Sequence, residues 1–276
     1  MSRPELTSGQ AALLGLLHGP AELLPISSSG HLTLVPWLLR WPYAELDAEL
    51  RKAFEVALHA GTAAALLVAL RAEVGEAASG LDRRRAQLIA LSFIPPAILA
   101  FVLERPIERR LGTPPTIAAG LLAGSAAMAI ADGAPRRRRR EEAGALDALA
   151  LGFAQATALV PGVSRNGATL VAARLRGFER EDANALSRHV ALPIITGAAA
   201  LKGHRLWKRG LPRGMGRAFA AGIGAAFAST LASTWLIRQV ERDRSLAPYA
   251  AYRAALAAIV IVRARRDTAM RKNRRR

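Results

Sequence analysis

The chain has 276 residues, of which 51% are hydrophobic and only 5% aromatic, and it carries a formal net charge of +18 with no cysteine. The lack of cysteine excludes disulfides and thiolate metal sites. The basic residues collect at 83–85, 136–140, 202–213 and 263–276, in the gaps between apolar runs and without an interleaved aromatic platform. This pattern excludes a nucleic-acid groove and reads as loop charge that sets orientation or meets anionic lipid headgroups.

Residues 1–10 lack the basic-then-apolar pattern of a cleavable signal, so membrane insertion is expected to rely on the first helices of the chain. From 11 to 39 the sequence is apolar but interrupted by His18, Gly19, Pro20, Glu22, Pro25, three serines, Gly30 and His31. An uninterrupted spanning helix does not carry such residues. Two half-helices meeting at a break do, with Ser27 to Gly30 leading into the second half. Three runs almost free of charge follow at 53–70, 86–103 and 116–131, each about the length that crosses a hydrocarbon core.

The same order then returns. A second interrupted stretch at 143–175 is broken by Pro161, Gly162, Ser164, Arg165, Asn166 and Gly167, and apolar runs follow at 183–201, 218–237 and 248–262. Placing Ser27-Ser28-Ser29-Gly30 on Ser164-Arg165-Asn166-Gly167 gives an offset of 137 residues, about half the chain. The expected fold is therefore an all-α polytopic membrane protein in one domain. Its repeats cover about 8–135 and 144–265, with about six transmembrane helices and two re-entrant helical hairpins. An odd number of spans per half inverts the second repeat, so the two breaks approach from opposite faces and build one site. The positive-inside rule places the 83–85 and 136–140 loops in the cytoplasm, but three further spans then carry the basic tail outside, against the same rule.

Glu22, Ser27, Ser28 and His31 fall within ten residues at the first break, and Ser164, Arg165 and Thr169 within six at the second. Ionisable groups at membrane depth cost a few kcal/mol each, so they call for a partner or a task. Half-helix N–H groups beside Gly30 and Gly167 suit a phosphate oxygen. Arg165 adds a bidentate fork, Ser28 or Ser27 an attacking oxygen, His31 a proton shuttle, and Glu22 a base or metal ligand. Set against this, Ser29 reads as a helix hydrogen-bonding residue and Pro25 and Pro161 as break-formers. His59, with Glu55 beside it, is divided between packing and the site. Arg188 and His189 are expected to face the bundle interior without an assigned role.

The stretch Glu22-Leu23-Leu24-Pro25-Ile26-Ser27-Ser28-Ser29-Gly30-His31-Leu32 resembles the first signature of the bacitracin-resistance family of undecaprenyl-diphosphatases. Pro161-Gly162-Val163-Ser164-Arg165-Asn166-Gly167-Ala168-Thr169 resembles the second, and Phe54-Glu55-Val56 with His59 and Gly61 a shorter segment between them. The resemblance covers nearly the whole chain. It implies hydrolysis of undecaprenyl diphosphate to the monophosphate carrier lipid and inorganic phosphate. It also implies dependence on a divalent cation, Mg²⁺ or Ca²⁺, and a multi-pass protein of the plasma membrane with its site facing the outer side. Glu22, Ser28, His31 and Arg165 match the catalytic positions, and Ser27, Gly30, Ser164, Gly167 and Thr169 the substrate-binding ones. The implied partners are a polyprenyl diphosphate lipid and the bilayer, with a homodimer as the assembly to test for and no nucleic acid. The chain departs from the family where His18 stands one turn before Glu22 in place of a second acid, leaving Glu22 and His18 as the metal ligands. It departs again at Ala185 and at Arg188-His189. Because inverted repeats with broken helices are also transporter architecture, a transporter of lipid phosphate or another anion stands as the alternative.

Overall fold

The computed structural model describes residues 6–80, 82–209, 214–242 and 245–273, with a minority of helical side chains also outside the description. The chain is helical throughout the described residues and contains no named strand. Of the basic stretches, 210–213 and 274–276 lie outside them.

The helix α1 (Ser8–Leu23) opens with a Thr7–Gln10 capping box and is followed, after a break, by α2 (Ser28–Leu38). Next come α3 (Ala48–Ala69), a short α4 (Arg71–Ser79), α5 (Arg83–Leu111) and α6 (Pro114–Asp132). The second half repeats the pattern with α7 (Ala145–Thr157), a break, α8 (Arg165–Leu175), α9 (Arg180–Arg209), α10 (Gly216–Ala232), α11 (Trp235–Arg242) and α12 (Ala247–Asn273). Both breaks therefore stand where the interrupted sequence predicts them.

Among the described residues four helices are long and apolar enough to cross a bilayer, namely α3, α5 to Leu103, α6 and α12 to Met270. The α10–α11 pair makes a fifth if it counts as one span. The predicted run 183–201 is helical within α9, but its side chains at 192, 195–196 and 198–201 fall outside the description. The run 218–237 is not the single straight helix expected: it bends by 49° between α10 and α11. Hydroxyls cause the interruption, since Thr230 Oγ1 donates to Ala226 O and Thr234 Oγ1 to Leu231 O, competing with the helical ladder. The short α4 is also absent from the expectation. Large apolar side chains on α5 face outward, Phe101 being 93% exposed, as suits contact with lipid rather than water.

The packing exchanges elements between the halves. The first arm α1 lies against α10 and the first arm α7 against α5, while α3 meets α9 and α6 meets α12. Close approach is achieved by glycine at matching positions. A Cβ on Gly15 would lie 2.9 Å from Ala226 N, and one on Gly152 would lie 2.8 Å from Ser92 O. These two glycines are themselves 137 residues apart.

The carbonyls freed at the two breaks share one partner. The buried Arg253 of α12 donates through Nη1 to Pro25 O at 3.0 Å and through Nη2 to Gly162 O and Val163 O, each at 2.9 Å. Each buried acceptor left unpaired costs roughly 1–3 kcal/mol, so Arg253→Met is expected to destabilise the fold by about 3 kcal/mol or more. Thermal aggregation of the detergent-solubilised protein should begin well below that of the parent. Unchanged aggregation in Arg253→Met would mean that water, not this guanidinium, satisfies the breaks.

Candidate active site

The second half-helix of each break begins on a serine held in an unusual backbone conformation. Ser27 has φ 77° and Ser164 φ 72°, a region that costs a non-glycine residue roughly 1–3 kcal/mol and persists where the surroundings enforce it. Each serine caps its own helix: Ser27 Oγ accepts from Gly30 N–H at 3.3 Å, and Ser164 Oγ from Gly167 N–H at 3.2 Å. The hydroxyls of Ser27 and Ser164 and the amides of Gly30 and Gly167, expected to contact phosphate, are thus engaged with each other in this structure.

The chemistry gathers around Glu22, which sits in the last turn of α1 with its side chain 7% exposed. One carboxylate oxygen, Oε1, is paired with Arg165 Nη2 at the start of α8 in a short contact. The other, Oε2, accepts from the Ser28 hydroxyl at 2.5 Å and faces His59 Nε2 at 3.8 Å. One acid thereby joins the two breaks and orients a hydroxyl that starts α2. A second tie runs the same way, Asn166 Nδ2 donating to Leu23 O at 3.0 Å.

His18, one turn before Glu22, is fully buried. Its Nδ1 lies 2.9 Å from Thr62 Oγ1, its ring stands edge-on to His59 with centroids 4.4 Å apart, and its Nε2 has no hydrogen-bond partner among the described residues. One ligand atom from each of His18, Glu22 and His59 lies within 4.8 Å of the others.

Two expected site residues point elsewhere. His31 has both ring nitrogens engaged, Nδ1 with Ser27 O and Nε2 with Tyr252 OH, each at 2.7 Å. The carbonyl contact requires the proton on Nδ1, so the Tyr252 hydroxyl donates to Nε2. Thr169 is fully buried, its Oγ1 2.5 Å from Ser187 Oγ and within hydrogen-bond reach of Arg165 O and Asn166 O.

Glu22 and Arg165 line a pocket of about 70 Å³ together with Leu66, Leu70, Asn166, Asn184, Ser187, Arg188 and residues of α11. Arg188 also borders a larger cavity of about 450 Å³, whose wall combines Leu67, Leu88, Leu151, Leu186 and Val190 with Arg84, Arg85, Arg140 and His189. Its guanidinium pairs with Glu241 and lies 3.7 Å from Glu73. Sequence reasoning left His59 undecided and did not reach Asn184, Ser187, Tyr252 or Arg253. For Arg253 the signal was there, a lone charge inside the apolar run 248–262.

A family described as "Bacitracin resistance protein BacA" matches residues 11–259. Among similar proteins is the undecaprenyl-diphosphatase of Geobacter sulfurreducens, 39% identical over 256 residues, covering 88% of this chain and 93% of that protein. The undecaprenyl-diphosphatase of Moorella thermoacetica is 37% identical over 266 residues, 93% of this chain and 97% of its own length. Undecaprenyl-diphosphatase 1 of Paraburkholderia xenovorans is 35% identical over 249 residues, 85% and 87% of the two chains. The chain belongs to the bacitracin resistance protein BacA family.

Proposed function

We propose that this protein hydrolyses undecaprenyl diphosphate, releasing inorganic phosphate and the lipid monophosphate, at a site built where the two helix breaks meet. The observation that carries this reading is the Ser28–Glu22–Arg165 constellation: a hydroxyl bound to a buried carboxylate that is itself held by a guanidinium. A nucleophile within hydrogen-bond reach of a base, and that base oriented by a third group, is the arrangement of covalent catalysis. In the reaction Ser28 Oγ attacks the terminal phosphorus, its proton passes to Glu22, and the bond from phosphorus to the bridging oxygen breaks. Water then releases phosphate from the serine. Direct attack by water, with Ser28 only binding phosphate, uses the same residues, and the Ser28 variant below separates the two. Arg165 holds the phosphate oxygens as negative charge shifts towards the leaving group. His31 serves here to hold the Ser27 carbonyl and the strained turn, in place of the relay expected from sequence. A divalent cation held by Glu22 and His18 would, when bound, neutralise phosphate charge and polarise the scissile bond.

The larger cavity supports a lipid substrate, since leucines and valines line it together with Arg84, Arg85, Arg140 and Arg188, which outnumber its acids Glu73, Glu141 and Asp147. The inverted repeat is supported by the exchanged packing of α1 with α10 and α7 with α5, and by the shared offset of Gly15 with Gly152 and Ser27 with Ser164.

The proposed location is the plasma membrane, with the site open to the outer side. Both cavities are lined by residues at the end of the molecule that carries Leu70, Arg84 and Arg140, so an outward site puts the 83–85 and 136–140 loops outside as well. That reverses the placement the positive-inside rule suggests for those loops, and it brings the basic tail inside. The loop arginines have local reasons to exist. Arg138 makes a bidentate pair with Asp147 at 3.0 and 2.8 Å, Arg84 donates to Ala143 O at 2.8 Å, and Arg136 donates to Asp132 O at 2.6 Å. The hydrogen bond with Asp147 also raises the Arg138 pKa.

Purified protein should release inorganic phosphate from undecaprenyl diphosphate, and Arg165→Ala should lower kcat by roughly 10²–10³, the usual loss for one charge-stabilising donor. Ser28→Ala should fall at least as far if Ser28 is the nucleophile and far less if it only binds phosphate. A folded parent that releases no phosphate, yet moves the lipid across vesicles, would replace the hydrolase reading with transport.

The absence of cysteine makes topology directly testable. In intact cells Arg137→Cys should react with a membrane-impermeant maleimide, and Thr268→Cys only after permeabilisation. The opposite pattern would place the site on the cytoplasmic side.

A further inference from the structure

His18 and His59 stand on different helices, α1 and α3, and both rings are fixed through the same atom. His59 Nδ1–H donates to Glu55 O at 2.8 Å, and His18 Nδ1 is held by Thr62 Oγ1 at 2.9 Å. The Glu55 carbonyl fixes the proton of His59 on Nδ1 and leaves a lone pair on its Nε2, and the His18 tautomer that donates from Nδ1 to Thr62 Oγ1 does the same. Histidines that bind metals are characteristically prepared in this way, with the second nitrogen tied to a carbonyl or hydroxyl. Thr62 Oγ1 in turn lies 3.2 Å from Thr230 Oγ1.

Among the described residues His18 Nε2 is then left buried without a partner, a costly state that calls for an explanation. His59 Nε2 lies 3.8 Å from Glu22 Oε2, and one ligand atom from each of His18, Glu22 and His59 lies within 4.8 Å of the others. An ion about 2.0–2.1 Å from each would draw them closer by roughly an ångström, within reach of side-chain adjustment. Mg²⁺ and Ca²⁺ fit this set poorly, because they seek several oxygen ligands, and two of the three donors here are imidazoles. Two histidines and one carboxylate, with further positions open, form a donor set that Zn²⁺ accepts in hydrolytic sites.

We propose that His18 Nε2, His59 Nε2 and Glu22 Oε2 bind a first-row transition-metal dication, with Zn²⁺ the preferred ion, in place of the Mg²⁺ or Ca²⁺ expected from the family. Arg165 keeps the other Glu22 oxygen, and with Oε2 given to the ion Glu22 orients the Ser28 hydroxyl without serving as its base. The site rests on the hydrolase reading only for the use made of the ion; its existence is a matter of binding alone.

The test is metal binding by the detergent-solubilised full chain, stripped with chelator and dialysed against Zn²⁺, Co²⁺, Mg²⁺ or Ca²⁺. Bound metal is counted by mass spectrometry, and Co²⁺ is followed by its visible absorption. One Zn²⁺ or Co²⁺ per chain is expected, with Co²⁺ showing the spectrum of nitrogen and oxygen ligation and Mg²⁺ failing to compete at equal concentration. His18→Gln and His59→Gln should each weaken Zn²⁺ binding by at least ~10–100-fold, the scale seen even for second-shell changes. Each should still melt like the metal-free parent, so that lost binding is not lost folding. His18→Glu should shift preference towards Mg²⁺ and Ca²⁺. Zn²⁺ uptake that is unchanged in the double glutamine variant, or a parent that takes up Mg²⁺ and not Zn²⁺, overturns the proposal. Arg165→Ala should keep its metal while losing hydrolysis, and a parent that binds Zn²⁺ but hydrolyses nothing overturns the hydrolase reading and leaves the metal site standing.

Discussion

A backbone carbonyl buried away from water needs a donor from the protein, and this chain interrupts two helices at breaks, leaving several such carbonyls near one another. Arg253 meets that demand with a single guanidinium that reaches Pro25 at one break and Gly162 and Val163 at the other. Burying a guanidinium costs several kcal/mol, but hydrogen bonds to a charged donor contribute about 1.5–3 kcal/mol each and offset much of it. The consequences extend beyond stability. All the hydrogen bonds of Arg253 given by the structure go to carbonyl oxygens, so its charge is not cancelled by an acid. With Arg165 nearby and Glu22 the acid between the breaks, the site is biased towards an anion before any ligand arrives.

From that constraint follows the order of the rest. The two breaks are fixed relative to each other by α12, then joined directly by the Glu22–Arg165 pair and by Asn166 on Leu23 O. Only with these ties in place can Ser27 and Ser164 be held at positive φ, a conformation that an isolated helix start would relax. The α12 helix is anchored in turn at its own start, where Asp132 accepts from Leu246 N–H and pairs with Arg174 at 2.6 Å. Strain at the site is thus supported by contacts remote from it.

The sequence made the breaks legible because proline, glycine, serine and charge inside an apolar stretch each oppose a continuous helix, and they occur together at 18–31 and 161–167. The apolar runs were legible for the same reason in reverse. What remained hidden depends on contacts between distant residues. Arg253 lies 228 positions from Pro25, and hydropathy averaged over its run conceals one charge. His31 looked like a free catalytic group, since nothing local announces that Tyr252, 221 residues away, occupies its Nε2. His59 could not be assigned until α3 was seen beside α1. The bend at 233–234 was missed because serine and threonine are compatible with a spanning helix as well as with its interruption.

The two breaks match in their capping residues and differ in their chemistry, which accounts for why the site needs both. At the offset of 137 residues Ser27 meets Ser164 and Gly30 meets Gly167, preserving the cap, whereas Ser28 meets Arg165, Glu22 meets Leu159 and His18 meets Gln155. The first break therefore supplies the hydroxyl, the acid and the imidazole, and the second supplies the cation. Two identical halves would set two acids or two cations against each other at the junction, where like charges repel most strongly in a medium of low dielectric. Divergence at these three positions turns that repulsion into the Glu22–Arg165 attraction. It also ties the assembly of the catalytic group to the closing of the fold, because neither half can place Ser28, Glu22 and Arg165 together alone.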